Sequence, residues 1–181
     1  MRVMDEEWAA DLARFRREKD SLFKTGPESP MPDAEKHDFA GLKYFPPNRT
    51  LIIKAKLVKY GDPEIVEMGT SKGTVQHFHR LGYFEFSVDG KKALLNAYRS
   101  AEGGEDETLF VPFRDATSGK ESYGSSRYLD LEIRKDDKYA LDFNYAYNPY
   151  CAYSEQYVCP FAPRENWLKV AIVAGEKKYH G

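Results

Sequence analysis

The sequence predicts a mainly β protein, an antiparallel β-barrel or sandwich of about nine strands with one N-terminal helix. About nine short segments alternate apolar and polar residues, and Gly, Pro, Asn and Asp separate them at intervals of about ten residues. Only the first 25 or so residues carry the 3.6-residue period of a helix. Because strands do not alternate with helices along the chain, a parallel sheet is not expected.

The composition is that of a globular protein of ordinary domain size. The 181 residues suit one domain, predicted to span 1–181 with a β core over 50–176, and 41% of them are apolar. The net charge is −2 and no Lys/Arg block exceeds a few residues, which argues against a nucleic-acid partner. No segment approaches the roughly 20 apolar residues of a membrane span, and the acidic start lacks a signal peptide's apolar run. We therefore expect a cytoplasmic protein with no membrane partner, and the sequence leaves its oligomeric state open.

The N-terminal helix is predicted over residues 5–24. Trp8, Leu12, Phe15 and Leu22 follow the helical period, and Gly26-Pro27 ends the pattern. We expect this helix to pack across one opening or face of the sheet, although an amphipathic helix can also bind a partner. The proline-rich stretch that follows is expected to be ordered but irregular.

The β core begins near residue 50, where the apolar period changes from 3.6 to two. Asp89-Gly90 is the strongest hairpin signal, because both residues tolerate the positive φ of a tight turn. The further strands are predicted over 65–68, 75–79, 83–88, 93–98, 108–113, 127–134, 139–143 and 168–174.

A hairpin is predicted to join the strands at 127–134 and 139–143. A three-residue loop between them keeps the apolar faces together and sets Asp130 opposite Asp142. Two facing carboxylates repel unless solvent screens them, a cation lies between them or one keeps its proton. Solvated surface charges explain the pair most simply. The functional alternative is a polar patch that also includes Tyr128 and Asn144.

The stretch 113–128, FRDATSGKESYGSSRY, follows a strand and is rich in Gly, Ser and Thr. Its backbone N–H groups could hold an anion, with Arg114, Lys120 and Arg127 as counter-charges, but it does not match the phosphate-loop pattern. The simpler interpretation is a hairpin loop held by side-chain bonds from Asp115 and Thr117. Strand parity puts Arg127 on the apolar face, so we expect it to form an ion pair or to reach a ligand.

Residues 142–167 form the segment around which we expect the site to lie. They show no helical or strand period, and they are too aromatic for a disordered linker. We predict a loop that caps one end of the sheet. Cys151 and Cys159 are too far apart for a zinc knuckle, so a disulfide or two packed thiols is expected. His77 and His79 alternate on a strand without a matching ligand spacing, so neither a metal nor a cofactor is predicted.

Three stretches carry a resemblance to a known family: FRDATSGKESYGSSRYLDL, LDFNYAYNPYCAY and CPFAPRENWLKVAIVAGEK. They resemble the signature of a bacterial and archaeal family catalogued as domain of unknown function 1684, and the match covers residues 113–176. Ser126, Tyr150 and Ala162 depart from the family pattern. The resemblance implies motif positions but no activity.

The two motif blocks are expected to converge at one end of the sheet. Our first hypothesis is a site there for a small polar or anionic molecule. The second is an enzyme, such as a hydrolase, that uses a carboxylate and an arginine at the same place, and the third is a purely structural role. The candidate residues are Arg114, Asp115, Thr117, Tyr123, Arg127, Tyr128, Asp130, Asp142, Asn144, Tyr147, Asn148, Cys151, Tyr153, Cys159, Glu165 and Asn166.

Overall fold

The protein is mainly β, with one long N-terminal helix, as the sequence predicted. The computed structural model describes residues 2–103 and 108–181. Its helices are α1 (Arg2–Thr25) and the short α2 (Asp33–Lys36). Its strands are β1 (Ile52–Gly69), β2 (Val75–Val88), β3 (Lys91–Ser100), β4 (Thr108–Phe113), β5 (Arg127–Glu132) and β6 (Lys138–Asp142).

The six strands form one antiparallel sheet that curls into a nearly closed barrel. The strand order is β5-β4-β3-β2-β1-β6, so β5 and β6 are the two edges. The chain just after β6 reaches the β5 edge, where the Tyr128 N–H donates to the Tyr147 carbonyl at 2.8 Å and the Tyr147 N–H donates back at 3.0 Å. This bridge connects the β5 edge to the segment that follows β6.

The predicted hairpin between the strands at 127–134 and 139–143 was wrong. β5 pairs with β4 and β6 pairs with β1, so Asp130 lies beside Phe110 and Asp142 beside Ile52. The five-residue connection between β5 and β6 spans the gap between the two edges instead of forming a tight turn. The two carboxylates therefore do not face each other across a ladder.

The strand count is six instead of nine because two predicted pairs of strands are single long strands and the predicted strand at 168–174 is not part of the sheet. β1 and β2 are interrupted only by register shifts, between Lys59 and Glu64 in β1 and between Arg80 and Gly82 in β2. Such irregularities bend a strand without ending it. At the second shift a side chain would not fit, since a Cβ on Gly82 would lie 2.5 Å from the Val58 carbonyl oxygen.

The predicted strand at 168–174 is an extended segment outside the sheet. Its alternation of apolar and polar residues does mark a buried face, because Leu168, Val170, Ile172 and Ala174 are buried in the main core. Its backbone, however, bonds to the loop after β4: the Leu168 N–H donates to the Arg114 carbonyl at 2.7 Å. Alternation predicted the buried face correctly but could not identify the hydrogen-bond partners.

Two further sequence predictions are confirmed. Asp89 and Gly90 have φ values of 49° and 76° and form the two-residue turn between β2 and β3. Helix α1 covers the predicted range 5–24, and the Gly26 N–H closes it on the Leu22 carbonyl at 2.8 Å.

Helix α1 packs over the segment that follows β6, although not with all of the predicted residues. Among residues 5–25 of the helix, Leu12 and Phe23 are buried, whereas Phe15 and Leu22 are 36% and 42% exposed. Near its start, the Trp8 Nε1–H donates to the Asp142 carboxylate at 2.8 Å. Near its end, Phe23 packs edge-on against Tyr153 with ring centroids 4.9 Å apart.

Candidate ligand-binding cleft

Two residues of the predicted set, Asp115 and Arg127, form a buried ion pair. Arg127 starts β5 on the inner face and is 1% exposed. Its guanidinium lies 3.2 Å from the Asp115 carboxylate and donates to the backbone carbonyls of Ile172, Ala174 and Glu176. Strand parity predicted the inner face for Arg127, and of the two partners left open, an ion pair or a ligand, the structure shows the ion pair. Through its bonds to the three carbonyls, Arg127 holds the C-terminal segment against the barrel.

Asp115 also organises the loop after β4. Its carboxylate accepts hydrogen bonds from the Thr117 hydroxyl at 2.8 Å and from the Ile172 N–H at 2.7 Å. Thr117 in turn bonds to the Ser122 hydroxyl at 2.7 Å. With Arg127 as its countercharge, this carboxylate is fully engaged inside the protein.

A second buried carboxylate, that of Glu176, holds the loop after β6. It accepts hydrogen bonds from the Asn148 N–H at 2.8 Å and from the Tyr153 hydroxyl at 2.7 Å, and it forms a salt bridge with Lys19 of α1. The Asn148 side chain adds a bond to the Lys177 carbonyl at 2.9 Å. Helix, loop and C-terminal segment therefore meet at one charged centre.

The predicted polar residues at the two ends of the loop also form hydrogen bonds within the protein. Asn144 exchanges hydrogen bonds with the Asn48 backbone at 2.7 and 2.8 Å, and its side chain donates to Asp142. At the other end, Asn166 accepts from the Asn96 N–H at 2.8 Å and donates to carbonyls of β3 and β4. Glu165 accepts from Tyr98 and Arg80 on the neighbouring strands.

A cleft of about 720 Å³ lies between α1 and the loop after β6. We call it the α1–loop cleft. Four large side chains on its wall are well exposed: Phe15 (36%), Leu22 (42%), Tyr150 (39%) and Val158 (47%). The complete lining consists of Phe15, Glu18, Lys19, Leu22, Phe23, Tyr128, Tyr147, Pro149, Tyr150, Tyr157, Val158, Cys159 and Pro160.

The cleft has few polar groups, and hydrogen bonds or ring contacts fix their orientation. The Tyr147 hydroxyl donates to the Asp130 carboxylate at 2.5 Å. Burial, helped by that carboxylate, raises the pKa of Tyr147, so the phenol keeps its proton. The Lys19 ammonium lies 4.9 Å from the Tyr147 ring centroid and 5.6 Å from that of Phe23, as expected of a cation over aromatic faces.

The two cysteines are free thiols beside the cleft. The Cys151 backbone N–H donates to the Cys159 sulfur at 3.3 Å, and the Tyr123 hydroxyl lies 3.7 Å from the Cys151 sulfur. A hydrogen bond from the Cys159 thiol, with help from Tyr123, lowers the pKa of Cys151 to about 6 despite its partial burial. The same interaction with Cys151, together with burial, raises the pKa of Cys159. The sequence alternative of packed thiols describes this arrangement.

Within residues 2–103 and 108–181, no group of three or more His, Cys, Asp and Glu side chains is placed to hold a metal ion. His77 lies 3.4 Å from both Glu67 and Glu102 on the exposed ends of the strands. Across the same described ranges, no helix is both long and apolar enough to cross a membrane.

Comparison with known proteins identifies the family. The family described as "Protein of unknown function (DUF1684)" matches residues 37–177. The chain belongs to the DUF1684 family. It is also similar to an uncharacterised protein of Haloarcula marismortui solved by solution NMR, with 40% sequence identity and a TM-score of 0.74. That match covers 98% of this chain and 97% of the other. No curated protein matches.

In this DUF1684 protein the predicted residues fall into distinct places. Tyr128, Tyr147 and Cys159 line the α1–loop cleft. Tyr123 and Cys151 contact each other next to Cys159, and Asp130 accepts a hydrogen bond from Tyr147. The Arg114 guanidinium stacks on Trp167 at 4.3 Å from the ring centroid, away from the cleft. The others belong to the hydrogen-bonded networks described above: Asp115, Thr117, Arg127, Asp142, Asn144, Asn148, Tyr153, Glu165 and Asn166.

Sequence reasoning missed the wall of the cleft that α1 contributes. Phe15, Lys19 and Leu22 are spaced four and three residues apart and share a helix face next to the buried stripe of Leu12 and Phe23. The sequence offered no signal for this wall, because Phe15 and Leu22 follow the same helical period as the buried Leu12.

Proposed function

We propose that this DUF1684 protein binds a small amphipathic molecule in the α1–loop cleft. The aromatic or apolar body of the ligand would lie against Phe15, Leu22 and Tyr150, and a polar or anionic end group would approach Lys19. The observation that carries the proposal is the convergence of well-exposed apolar side chains on one concave surface.

Size and lining support this proposal. A volume of about 720 Å³ lies within the usual range of small-molecule sites, which are largely apolar with a few oriented polar groups. Scattered exposed apolar residues need no explanation, whereas a contiguous set marks an interaction site. Phe15 and Leu22 from α1 and Tyr150 and Val158 from the loop belong to one such set.

Lys19 supports a polar or anionic end group. The ammonium has three donors, and the salt bridge to Glu176 uses one of them. The ammonium also lies over the Tyr147 and Phe23 rings, which belong to the same lining. An acceptor on the ligand could therefore bond to Lys19 without breaking the salt bridge. Glu18 in the same lining disfavours a second negative charge on the ligand.

The geometry supports binding more than catalysis by the predicted carboxylates and arginine. Arg127 is 1% exposed and donates to Asp115 and three carbonyls, so it has no path to a substrate. Asp142 accepts from Trp8 and Asn144, and Asp130 accepts from Tyr147. These groups are engaged in holding the loop and the helix.

Fluorescence titration with anilinonaphthalene sulfonate, an amphipathic aromatic anion, tests the proposal. We expect saturable binding of one probe per chain, and weaker binding of the uncharged N-phenylnaphthylamine. Leu22→Gln should weaken binding about five- to thirtyfold, because it removes apolar contact worth ~1–2 kcal/mol.

Ile133→Gln is the matched control for this titration. Ile133 is 47% exposed, close to the 42% of Leu22, and it is not part of the cleft lining. We expect Ile133→Gln to bind the probe as the wild type does. Equal affinities for wild type and both variants would refute the assignment of the site to this cleft.

A further inference from the structure

The loop after β6 holds the thiols of Cys151 and Cys159 next to each other. Cys151 belongs to the 3₁₀ turn Tyr150–Ala152, and Cys159 precedes Pro160 on the cleft wall. The Cys151 N–H contacts the Cys159 sulfur at 3.3 Å, and the Cys159 N–H is held by the Ser71 hydroxyl at 3.1 Å. The loop thus holds the two sulfurs as neighbours, although no bond joins them.

The two thiols differ in access and in the groups around them. Cys151 is partly exposed, whereas Cys159 is 8% exposed. The donors near the Cys151 sulfur include the Cys159 thiol and the Tyr123 hydroxyl, which lies 3.7 Å away. Burial and its bond to Cys151 raise the pKa of Tyr123 to about 12, so the phenol remains a donor at neutral pH. A partly exposed cysteine with hydrogen-bond donors and a buried neighbour that keeps its proton suit the two roles of a thiol exchange pair.

We propose that Cys151 and Cys159 form a thiol–disulfide exchange site that reduces small organic disulfides. The Cys151 thiolate attacks one sulfur of the disulfide, a Cys151–sulfur bond forms, and the first small thiolate leaves and takes a proton from water. The Cys159 thiol then gives its proton to solvent and attacks the Cys151 sulfur. The second small thiolate leaves and is protonated, so two electrons pass from the protein to the small molecule.

The surroundings of the pair suit an aromatic or apolar disulfide. Tyr150 precedes Cys151, and Val158 and Pro160 flank Cys159, and all three line the α1–loop cleft. The reaction requires only the thiol pair and access to it. It therefore does not depend on whether the cleft also retains a ligand, and the two proposals can fail separately.

Reaction of the reduced protein with dithiobis(nitrobenzoate), at about pH 7, tests the proposal. The wild type should release two equivalents of thionitrobenzoate per chain and retain no adduct, with an intact mass two hydrogens below the dithiol form. The Cys159→Ser variant should release one equivalent and keep the adduct. Its serine can still donate a hydrogen bond to the Cys151 thiolate, so attack should remain rapid.

The Cys151→Ser variant separates an exchange pair from two independent thiols. Its remaining thiol is buried, so we expect it to react at least about tenfold more slowly than the Cys159→Ser variant. Circular dichroism and a thermal melt confirm that both variants are folded. A wild type that keeps an adduct on either cysteine would overturn the proposal, as would equal reaction rates in the two variants.

Discussion

Replacing Asp115 with Asn tests whether the buried ion pair holds the C-terminal segment in the barrel. The Asp115 carboxylate accepts from Arg127, from the Thr117 hydroxyl and from the Ile172 N–H. Asn has nearly the same shape, but its amide nitrogen would face these donors, and the guanidinium would lose its bonded countercharge.

The expected loss of stability follows from burial. Both side chains are at most 1% exposed, and removing one partner of such a pair costs ~3–5 kcal/mol because a buried charge is left uncompensated. That is a large part of the ~5–15 kcal/mol by which a domain of this size is stable. We therefore expect Asp115→Asn to lower the free energy of unfolding by ~3–5 kcal/mol.

Urea unfolding followed by tryptophan fluorescence measures this loss. Asp11→Asn is the matched control, because Asp11 forms an exposed salt bridge with Arg14 at 2.7 Å, and such pairs contribute less than ~1 kcal/mol. The double variant Asp115→Asn/Arg127→Met should lose less than the sum of its single variants, because the second change removes the uncompensated charge. If Asp115→Asn lowers the free energy of unfolding no more than Asp11→Asn does, the Asp115–Arg127 pair does not hold the C-terminal segment in the barrel.

Three further predictions also concern the free energy of unfolding. Gly175 and Gly90 share a φ of 76°, but a Cβ on Gly175 would lie 2.6 Å from a backbone oxygen whereas one on Gly90 meets nothing within 4 Å. Gly90→Ala should therefore lower the free energy of unfolding by ~1–2 kcal/mol and Gly175→Ala by clearly more, and equal losses would contradict this packing. Folding lowers the pKa of Cys151 from 9.0 to about 6, so between pH 6 and 9 the unfolded state binds more protons than the folded state. The stability of the wild type relative to Cys151→Ser should therefore rise with pH over that window, and a fall would contradict the lowered pKa of Cys151. Trp8→Phe removes the indole hydrogen bond to Asp142 and should cost ~1 kcal/mol by circular dichroism; no loss would mean that this bond does not help to hold α1.

Local patterns predicted those features of the fold that depend on neighbouring residues. Alternation identified the buried faces, Asp89-Gly90 identified a hairpin, and parity placed Arg127 on the inner face. Each of these inferences needs only the period of a strand or the backbone freedom of a turn.

The pairing of β5 and β6 could not be predicted in the same way. Strands that follow each other along the chain usually pair, which favoured a hairpin. Here the sheet curls until its two edges approach, so a short connection links β5 to β6 while β6 completes its ladder with β1. Curvature of this kind comes from the register shifts in β1 and β2, and local alternation does not reveal it.

The cleft was only partly predictable for a related reason. The aromatic loop indicated a site, but most of its polar residues satisfy buried backbone groups, as Asn144 and Asn166 do. The opposite wall is contributed by α1, more than a hundred residues earlier in the chain. On the sequence alone, Phe15 and Leu22 could not be distinguished from residues that pack against the barrel.

Amide proton–nitrogen correlation spectra of the isotope-labelled protein, titrated with anilinonaphthalene sulfonate, test the central claim most directly. The claim predicts that saturable shifts cluster on α1 between Phe15 and Phe23 and on the loop from Tyr147 to Pro160, and that Leu22→Gln weakens them. Shifts that cluster elsewhere on the barrel, or no saturable shifts at all, would contradict a ligand site in the α1–loop cleft.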